Sequence, residues 1–384
     1  MRPRPTTPVV LSLAFALAAA HAAPGAIIRR HDRDDAAYIE HARPFTTVVR
    51  VGGGTGTLVG DRWVLTAAHV AGGITPFAPH VIINGTTCPI DRVVLHPEGR
   101  SPDPGQPPRV DLALLHLATD VAGVTPAHLA DDTQDGPGSD VIVAGRGDHG
   151  LARGPLAPSD GQVRAATNQI DDADRRHLRI DFDPPPHATE LEGMGAPGDS
   201  GGPLFLAPHP GDAAPDAPVL VGISSASMGE PGTYGAVDVY MRVSSFADWI
   251  HDTINDPDPV AEALPTPVDL TSGWPEGDGP RLVQAFVEAV NDGSADALTR
   301  FGSAYRLPGP RRQRSDASWA ELIRTETRAL RPLAPLELAA SDREVHLLVG
   351  TGPEGEERWI IRCFLARPDG AVRLDGLMLR PLTP

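Results

Sequence analysis

Short apolar segments of alternating pattern occupy the chain up to about residue 245, and Gly- and Pro-rich turns separate them. Thr57 and Val59 stand at alternate positions before a Gly-Asp turn. Trp63 and Leu65 do so after it, which predicts a two-stranded hairpin. Many short strands between turn signals are typical of all-β folds. The pattern therefore predicts a mostly β body for residues 27–256.

The pattern changes after residue 256. Residues 257–278 are rich in Pro and acidic residues and lack periodicity, which predicts a linker. Leu282, Phe286 and Val290 then share one face at helical spacing, and this helix is predicted to end at Gly293.

Two more helices and a sheet are predicted after Gly293. The second helix begins near Ser294, and the third begins at Ser318, where Glu321 completes a capping box. Alternating segments follow near 343–350, 358–366 and 371–379. Helices followed by antiparallel strands predict a small α+β, cone-like domain over residues 279–384.

The first 22 residues have the pattern of an export signal. Arg2 and Arg4 precede the apolar run "PVVLSLAFALAAA", and Ala20 and Ala22 fit a small-residue cleavage site. The run is short for a membrane span. We therefore expect residues 1–22 to be a signal peptide and the mature protein to be secreted or periplasmic.

Composition excludes several partner classes. The 384 residues contain 50 acidic and 33 basic side chains, for a net charge of −17. Such a surface repels phosphate backbones and anionic lipids, so we expect no nucleic-acid partner and no membrane partner after signal removal. The two cysteines, Cys88 and Cys363, are expected to be buried and unpaired, so that packing supplies the stability.

Three separate stretches carry candidate chemistry. Ser200 lies in "GAPGDSGGPLF", His69 follows "TAA" after the predicted hairpin, and Asp111 opens the apolar run "DLALLHL". Taken singly, they read as a turn, a structural histidine and a solvated strand end. Together they supply what acyl transfer requires: a hydroxyl, an imidazole base and a carboxylate that fixes the imidazole tautomer.

The candidate roles follow from that chemistry. Ser200 is the nucleophile, His69 is the general base and then the general acid, and Asp111 orients His69. The backbone N–H groups of Gly198 and Ser200 form the oxyanion hole. This reaction needs no cofactor or metal.

The motifs "TAAH", "DLALL" and "GDSGGP", in this order, closely resemble those of the chymotrypsin/trypsin-like serine proteases. The resemblance covers the domain at residues 27–256. It implies two antiparallel six-stranded barrels with the site between them, and serine endopeptidase activity on protein or peptide substrates.

The resemblance also implies a specificity pocket and an activation step. The pocket would be formed by Met194, Ser225, Ser227 and Asp238, and we expect it to accept medium apolar side chains and to tolerate basic ones through Asp238. The resemblance also implies that Ser225 supports Asp111. Asp199 matches the aspartate that receives a newly cut N-terminus in animal members.

The new N-terminus would be Ile27 or Ile28. Arg29 and Arg30 follow, where the family usually has glycines, so activation by cleavage near Ala26 stays open. The loop from Asp131 to Gly136 faintly imitates a calcium loop, but its twelfth position is Ile142. It is therefore predicted to be a solvated connection.

Two alternatives to a simple protease remain open. The domain could be a catalytically inactive trypsin-like scaffold that only binds its partners. The C-terminal domain loosely resembles NTF2-like domains through "AFVEAVNDGSADALTRF", and a ligand bound there could regulate the protease.

Overall fold

The computed structural model describes residues 27–100, 108–208, 216–307, 314–351, 357–368 and 370–382. These residues form two compact units that divide between Pro267 and Val268. The division falls inside the predicted linker. The predicted signal peptide lies outside the described residues.

A closed six-stranded barrel forms the first half of the first unit, in the order β2-β3-β4-β7-β6-β5. Its apolar alternate positions point inward and are buried. The elements up to its last strand are β1 (Ile28–Arg29), α1 (Asp35–His41), β2 (Val48–Val51), β3 (Gly54–Gly60), β4 (Trp63–Thr66), α2 (Ala68–Ala71), β5 (His80–Ile83), β6 (Thr86–Leu95) and β7 (Ala113–Leu117). β3 and β4 are the predicted hairpin, which is confirmed.

An eight-stranded sheet and a four-stranded sheet complete this unit. The larger sheet runs β12-β9-β16-β17-β18-β14-β13 with β8 beside β17, and the smaller runs β11-β10-β1-β15. The strands are β8 (His128–Leu129), β9 (Asp140–Gly145), β10 (His149–Leu151), β11 (Leu156–Ala157), β12 (Arg164–Gln169), β13 (Asp172–Ala173), β14 (His177–Asp181), β15 (Gly193–Met194), β16 (Pro203–Leu206), β17 (Val219–Met228) and β18 (Val237–Arg242).

The mostly β architecture is confirmed, and of the two expected six-stranded barrels the second is present as a half-barrel. No backbone ladder joins β12 to β14 in the described sheet. The side-chain amide of Asn168 on β12 instead donates to the carbonyl of Asp181 on β14 at 2.8 Å. A side-chain hydrogen bond thus connects the two strands where a fully closed barrel would have a ladder.

A 3₁₀ turn (Val243–Phe246) and helix α3 (Ala247–Asn255) follow β18. Ser244 and Ser245 precede this helix, but neither side chain caps it. The Ser244 hydroxyl donates to Asp135 at 2.6 Å, and that of Ser245 donates to the carbonyl of Arg175 at 2.6 Å. Both hydroxyls are used by partners distant in sequence, which local pattern does not reveal.

The sequence predicted that the acidic loop from Asp131 to Gly136 is a solvated connection. The structure buries one of its carboxylates. Asp135 is fully buried and forms an ion pair with Arg242 at 2.7 Å. A buried charge needs such a partner. The loop is therefore fixed to the end of β18.

The stretch after α3 packs on the first unit up to Pro267. The backbone N–H of Glu262 donates to the carbonyl of Val93 at 2.6 Å, and its carboxylate pairs with Arg100. Leu264 packs against the apolar core. This half of the predicted linker is therefore anchored rather than free.

The second unit packs three helices on a five-stranded antiparallel sheet. Its elements are β19 (Val268–Asp269), a 3₁₀ turn (Leu270–Ser272), α4 (Asp278–Asp292), α5 (Ala295–Tyr305), α6 (Asp316–Glu326), β20 (Ala334–Ala340), β21 (Glu344–Thr351), β22 (Glu357–Ala366) and β23 (Arg373–Pro381). The α+β prediction for this region is confirmed, and β20 is a strand that the sequence pattern missed.

Three helix ends of the second unit were predicted from capping residues, and two of these predictions are confirmed. Gly293 ends α4 in the left-handed conformation, and the Ser294 hydroxyl caps α5. The predicted capping box is wrong, because Ser315 caps α6 by accepting from the N–H of Ser318. Across the helices that the structure describes, none combines the length and the apolarity of a membrane span.

Candidate active site

His69 and Asp111 are joined by two hydrogen bonds. His69 lies on the short helix α2, and its Nδ1 is 2.7 Å from Asp111 Oδ2. Its backbone N–H donates to Asp111 Oδ1 at 2.9 Å. The imidazole is 40% exposed and the carboxylate only 7%. The carboxylate therefore fixes the ring from the buried side and leaves Nε2 toward the surface.

A third group, Ser225 on β17, binds the same oxygen of Asp111 that faces His69 Nδ1. The Ser225 hydroxyl donates to Asp111 Oδ2 at 2.7 Å. Burial raises the pKa of Asp111, but the hydrogen bonds and charge of His69 and the Ser225 hydroxyl outweigh burial, so the net pKa is lowered. The carboxylate thus stays ionised while enclosed by protein.

The loop that carries Ser200 is fixed against β3. The backbone N–H of Thr55 donates to the carbonyl of Ser200 at 2.9 Å. The side-chain hydroxyl of Thr55 donates to the carbonyl of Gly198 at 2.9 Å. Gly201 has φ +77°, and an added Cβ would lie 2.5 Å from the Thr55 carbonyl. Glycine is required there because a side chain would push the loop off the strand.

Two backbone donors next to Ser200 are free. The N–H groups of Gly198 and Ser200 donate to no protein acceptor among the described residues, and Gly198 has φ +94°. The Ser200 hydroxyl also makes no hydrogen bond to His69, although both side chains are described. Catalytic hydrogen bonds are often long before substrate binds.

Asp199 fixes the conformation of this loop through hydrogen bonds to backbone N–H groups. It is buried and accepts from the N–H groups of Gly147 at 2.6 Å, Ala196 at 2.9 Å and Ile27 at 3.2 Å. Burial outweighs these bonds and raises the pKa of Asp199 to about 6. All of these donors are uncharged amides, so the buried carboxylate lacks a cationic partner in this state.

The N-terminal strand that reaches Asp199 is anchored by residues that sequence reasoning missed. Arg30 Nη1 donates to the carbonyl of Thr189 at 2.5 Å, and the Tyr38 hydroxyl donates to that of Glu192 at 2.9 Å. Arg29 pairs with Asp35 at 3.2 Å. The arginines that replace the usual glycines therefore hold this strand; the dense opposite charges of "RRHDRDD" were the available signal.

The predicted pocket residues divide into two groups. Asp238 accepts from the Ser227 hydroxyl at 2.6 Å and from the N–H of Gly195 at 2.7 Å. Burial raises the pKa of Asp238 to about 6, and Asp199 adds to the increase. Met194 is 1% exposed and packs in an apolar cluster with Phe182. The two serines predicted for the pocket have different partners. The Ser227 hydroxyl donates to Asp238, and the Ser225 hydroxyl donates to Asp111.

The family model described as Trypsin matches residues 34–250, more than half of the chain. The chain is 30% identical to the complement C1r-B subcomponent of Mus musculus over 243 residues. It is 30% identical to the C1r-A subcomponent of Mus musculus over 246 residues. Each alignment covers 55% of this chain and 32% of the relative, so the chain spans about a third of their length.

Two solved protease structures match a little more than half of the chain. Neuropsin, a serine protease expressed in the limbic system of mouse brain, matches with a TM-score of 0.42 and 21% identity, over 56% of this chain and 96% of neuropsin. The inactivated protease paralogue S-I1 of the scabies mite matches with a TM-score of 0.40 and 23% identity, over 57% of this chain and 98% of the paralogue.

Proposed function

The chain belongs to the Trypsin family, and we propose that it is an exported serine endopeptidase that hydrolyses peptide bonds through an acyl-enzyme. The observation that carries the proposal is the 2.7 Å contact between His69 Nδ1 and the buried carboxylate of Asp111. This contact places the proton on Nδ1 and leaves Nε2 as a base.

Acylation follows from the groups around Ser200. Ser200 Oγ attacks the scissile carbonyl carbon while His69 Nε2 accepts the hydroxyl proton. The carbonyl oxygen becomes an oxyanion, which the free N–H groups of Gly198 and Ser200 stabilise. The C–N bond then breaks, and the imidazolium donates its proton to the leaving amine.

Deacylation reverses the roles with water as nucleophile. His69 accepts a proton from water, the hydroxide attacks the ester carbonyl, and Ser200 leaves with that proton. Asp111 stays ionised throughout and stabilises the imidazolium. The cycle regenerates the starting state, and no cofactor enters it.

A fluorophosphonate probe tests the proposal, because it labels only an activated serine. We expect one label per molecule, at Ser200, and none after inhibition by a peptide chloromethyl ketone that alkylates His69. A folded protein that resists labelling would be a trypsin-like scaffold that binds without catalysis.

Cleavage before Ile27 is the proposed activation step. In the uncut chain, Ile27 offers Asp199 an uncharged amide N–H, at 3.2 Å. Cleavage would convert that amide to an ammonium and supply the missing cation. Ile27 also has φ +70°, which is unfavourable for a β-branched residue and which cutting would relieve.

Several further assignments are part of this proposal. Residues 1–22 direct export and are removed, residues 27–256 form the protease domain, and protein or peptide is the substrate. Residues 279–384 form an NTF2-like domain, and regulation of the protease by a ligand bound there is the alternative to an unregulated protease.

Asp238 makes stability depend on pH. The unfolded side chain ionises near 3.8 and the folded one near 6, so the folded state loses stability as pH rises between these values. Asn can accept from Gly195 and donate to Ser227 without ionising. We therefore expect Asp238→Asn to be more stable than the parent at pH 7.5 by roughly 2–3 kcal/mol. Urea unfolding at pH 7.5 and 4 measures this; an equal difference at both pH values would contradict it.

The same variant tests the pocket. Because the buried Asp238 carboxylate already accepts from two donors, it is partly satisfied without a basic substrate side chain, and a medium apolar side chain leaves both hydrogen bonds in place. We expect the highest kcat/KM for peptides with Leu, Met or Val before the scissile bond, and a loss of activity toward Arg and Lys in Asp238→Asn. A strict Arg/Lys preference that survives this change would refute the pocket assignment.

We expect the catalytic unit to end at Pro267. A protein ending at Pro267 should keep fluorophosphonate labelling at the full-length rate, since no proposed catalytic residue lies beyond it. A protein ending at Asp258 should melt at lower temperature, because it loses the contacts of Glu262 with Val93 and Arg100. Loss of labelling in a folded protein ending at Pro267 would show that the C-terminal unit completes the site.

A further inference from the structure

Two arginines near the active-site loop have no carboxylate partner. Arg50 is on β2, and its Nε donates to the carbonyl of Gly52 at 3.3 Å. Arg146 directly follows β9, and its Nη2 donates to the carbonyl of Gly161 at 2.9 Å. Within the described ranges, no acidic side chain forms an ion pair with either guanidinium.

The positive charge of Arg50 acts on Arg146. Burial and the positive charge of Arg50 together lower the pKa of Arg146. Two other arginines of this unit have acidic partners: Arg164 is held by two carboxylates, and Arg242 binds Asp135. Arg50 and Arg146 form a half-buried pair without such a partner among the described residues, although the chain has 50 acidic residues against 33 basic ones. It is an arrangement that an anionic ligand would stabilise.

The pair borders the loop that holds the proposed oxyanion donors. An added Cβ on Gly198 would lie 2.9 Å from Gly147 Cα and 3.7 Å from the Gly53 carbonyl. Arg146 immediately precedes Gly147, and Arg50 is three residues before Gly53. Both arginines are therefore attached to the backbone segments that flank Gly198.

The proposed specificity pocket adjoins the start of the same loop. Gly195 donates to Asp238 in that pocket, and Gly198, three residues later, approaches Gly147 and Gly53 in the segments that carry the two arginines. If the pocket takes the residue before the scissile bond, the residues that follow that bond leave the site past Gly198 and pass beside these segments.

We propose that Arg50 and Arg146 form a carboxylate-binding subsite for the substrate segment after the scissile bond. The inference rests on the proposed protease function. The carboxylate is supplied by an Asp or Glu side chain or by the C-terminus of a short peptide; both present the same planar group to two guanidiniums.

A degenerate peptide library tests the subsite whatever side chain the pocket prefers. Sequencing the new N-termini gives the residues at the first two positions after each cut. We expect Asp and Glu to be enriched there roughly tenfold over Gln. Arg50→Gln and Arg146→Gln should abolish the enrichment. Arg62→Gln, an exposed arginine paired with Asp120, is the matched control and should retain it.

The two sources of the carboxylate are separated by peptide ends. Peptides that stop two residues after the cut are compared as free acids and amides, with Gln or Glu at those positions. A preference for the acid end identifies the C-terminus, and a preference for Glu in the amides identifies the side chain. Equal turnover of all four, with Ser200 labelling intact, would overturn the subsite.

A binding measurement separates failure of the subsite from failure of catalysis. Full-length Ser200→Ala is titrated into fluorescein-labelled Gly-Glu-Glu-Gly and Gly-Gln-Gln-Gly amides, and anisotropy is recorded. The Glu peptide should bind roughly tenfold more tightly at low salt, and less so as salt increases. In the double variant Ser200→Ala/Arg146→Gln, the Glu and Gln peptides should bind equally. Equal binding of both peptides would overturn the subsite, whether or not the parent protein is active.

Discussion

Ser200→Ala is expected to reduce peptide hydrolysis by at least about 10⁴-fold. The serine supplies the attacking oxygen, and no other described group of the site is placed to form the acyl-enzyme. The Ser200 hydroxyl has no hydrogen-bond partner among the described residues, so its removal should leave the melting temperature unchanged. Steady-state cleavage and thermal unfolding on the same preparation measure the two effects.

A second serine provides the control for that substitution. Ser245→Ala removes a hydroxyl that binds the carbonyl of Arg175 outside the site, and it should retain activity. Activity of Ser200→Ala within tenfold of the parent would rule out Ser200 as the nucleophile.

Asp111→Asn is expected to lower kcat by about 10⁴-fold with little change in the fold. Asp111 accepts three hydrogen bonds, from the backbone and ring of His69 and from Ser225. Asparagine must turn an NH₂ group toward one of these donors. With that group facing Nδ1, the imidazole proton moves to Nε2, and His69 can no longer accept the proton of Ser200.

The matched control for Asp111→Asn is another buried aspartate. Asp135→Asn weakens the ion pair with Arg242 and should lower stability while leaving kcat per folded molecule intact. Ser225→Ala keeps the Asp111 carboxylate and should cost far less than Asp111→Asn. If Asp111→Asn retained more than a tenth of the parent kcat, Asp111 would not be the orienting group.

The parts of the fold that were predictable are those that local sequence determines. The β3–β4 hairpin, the helix that ends at Gly293 and the Ser294 cap each depend on residues within one or two turns of each other. The pairing of His69 with Asp111 was predicted from motif order, and the structure joins them across 42 residues.

The features that were missed depend on partners far apart in the chain. Asp135 is buried because Arg242, from the end of β18, reaches it, and Ser244 turns to the same carboxylate rather than capping α3. Arg50 and Arg146 lie in separate parts of the unit. Periodicity and capping rules describe neighbours in sequence, so they place such residues in solvent by default.

The cysteines of this chain have a practical consequence. Cys88 and Cys363 are both buried and free, and they are the only two in the sequence. Burial raises the pKa of the Cys363 thiol to about 12, so it contains almost no reactive thiolate at neutral pH. Folding therefore requires neither an oxidant nor a disulfide isomerase. The protein can be produced in a reducing cytoplasm and assayed in dithiothreitol, conditions that would unfold relatives dependent on disulfide bonds.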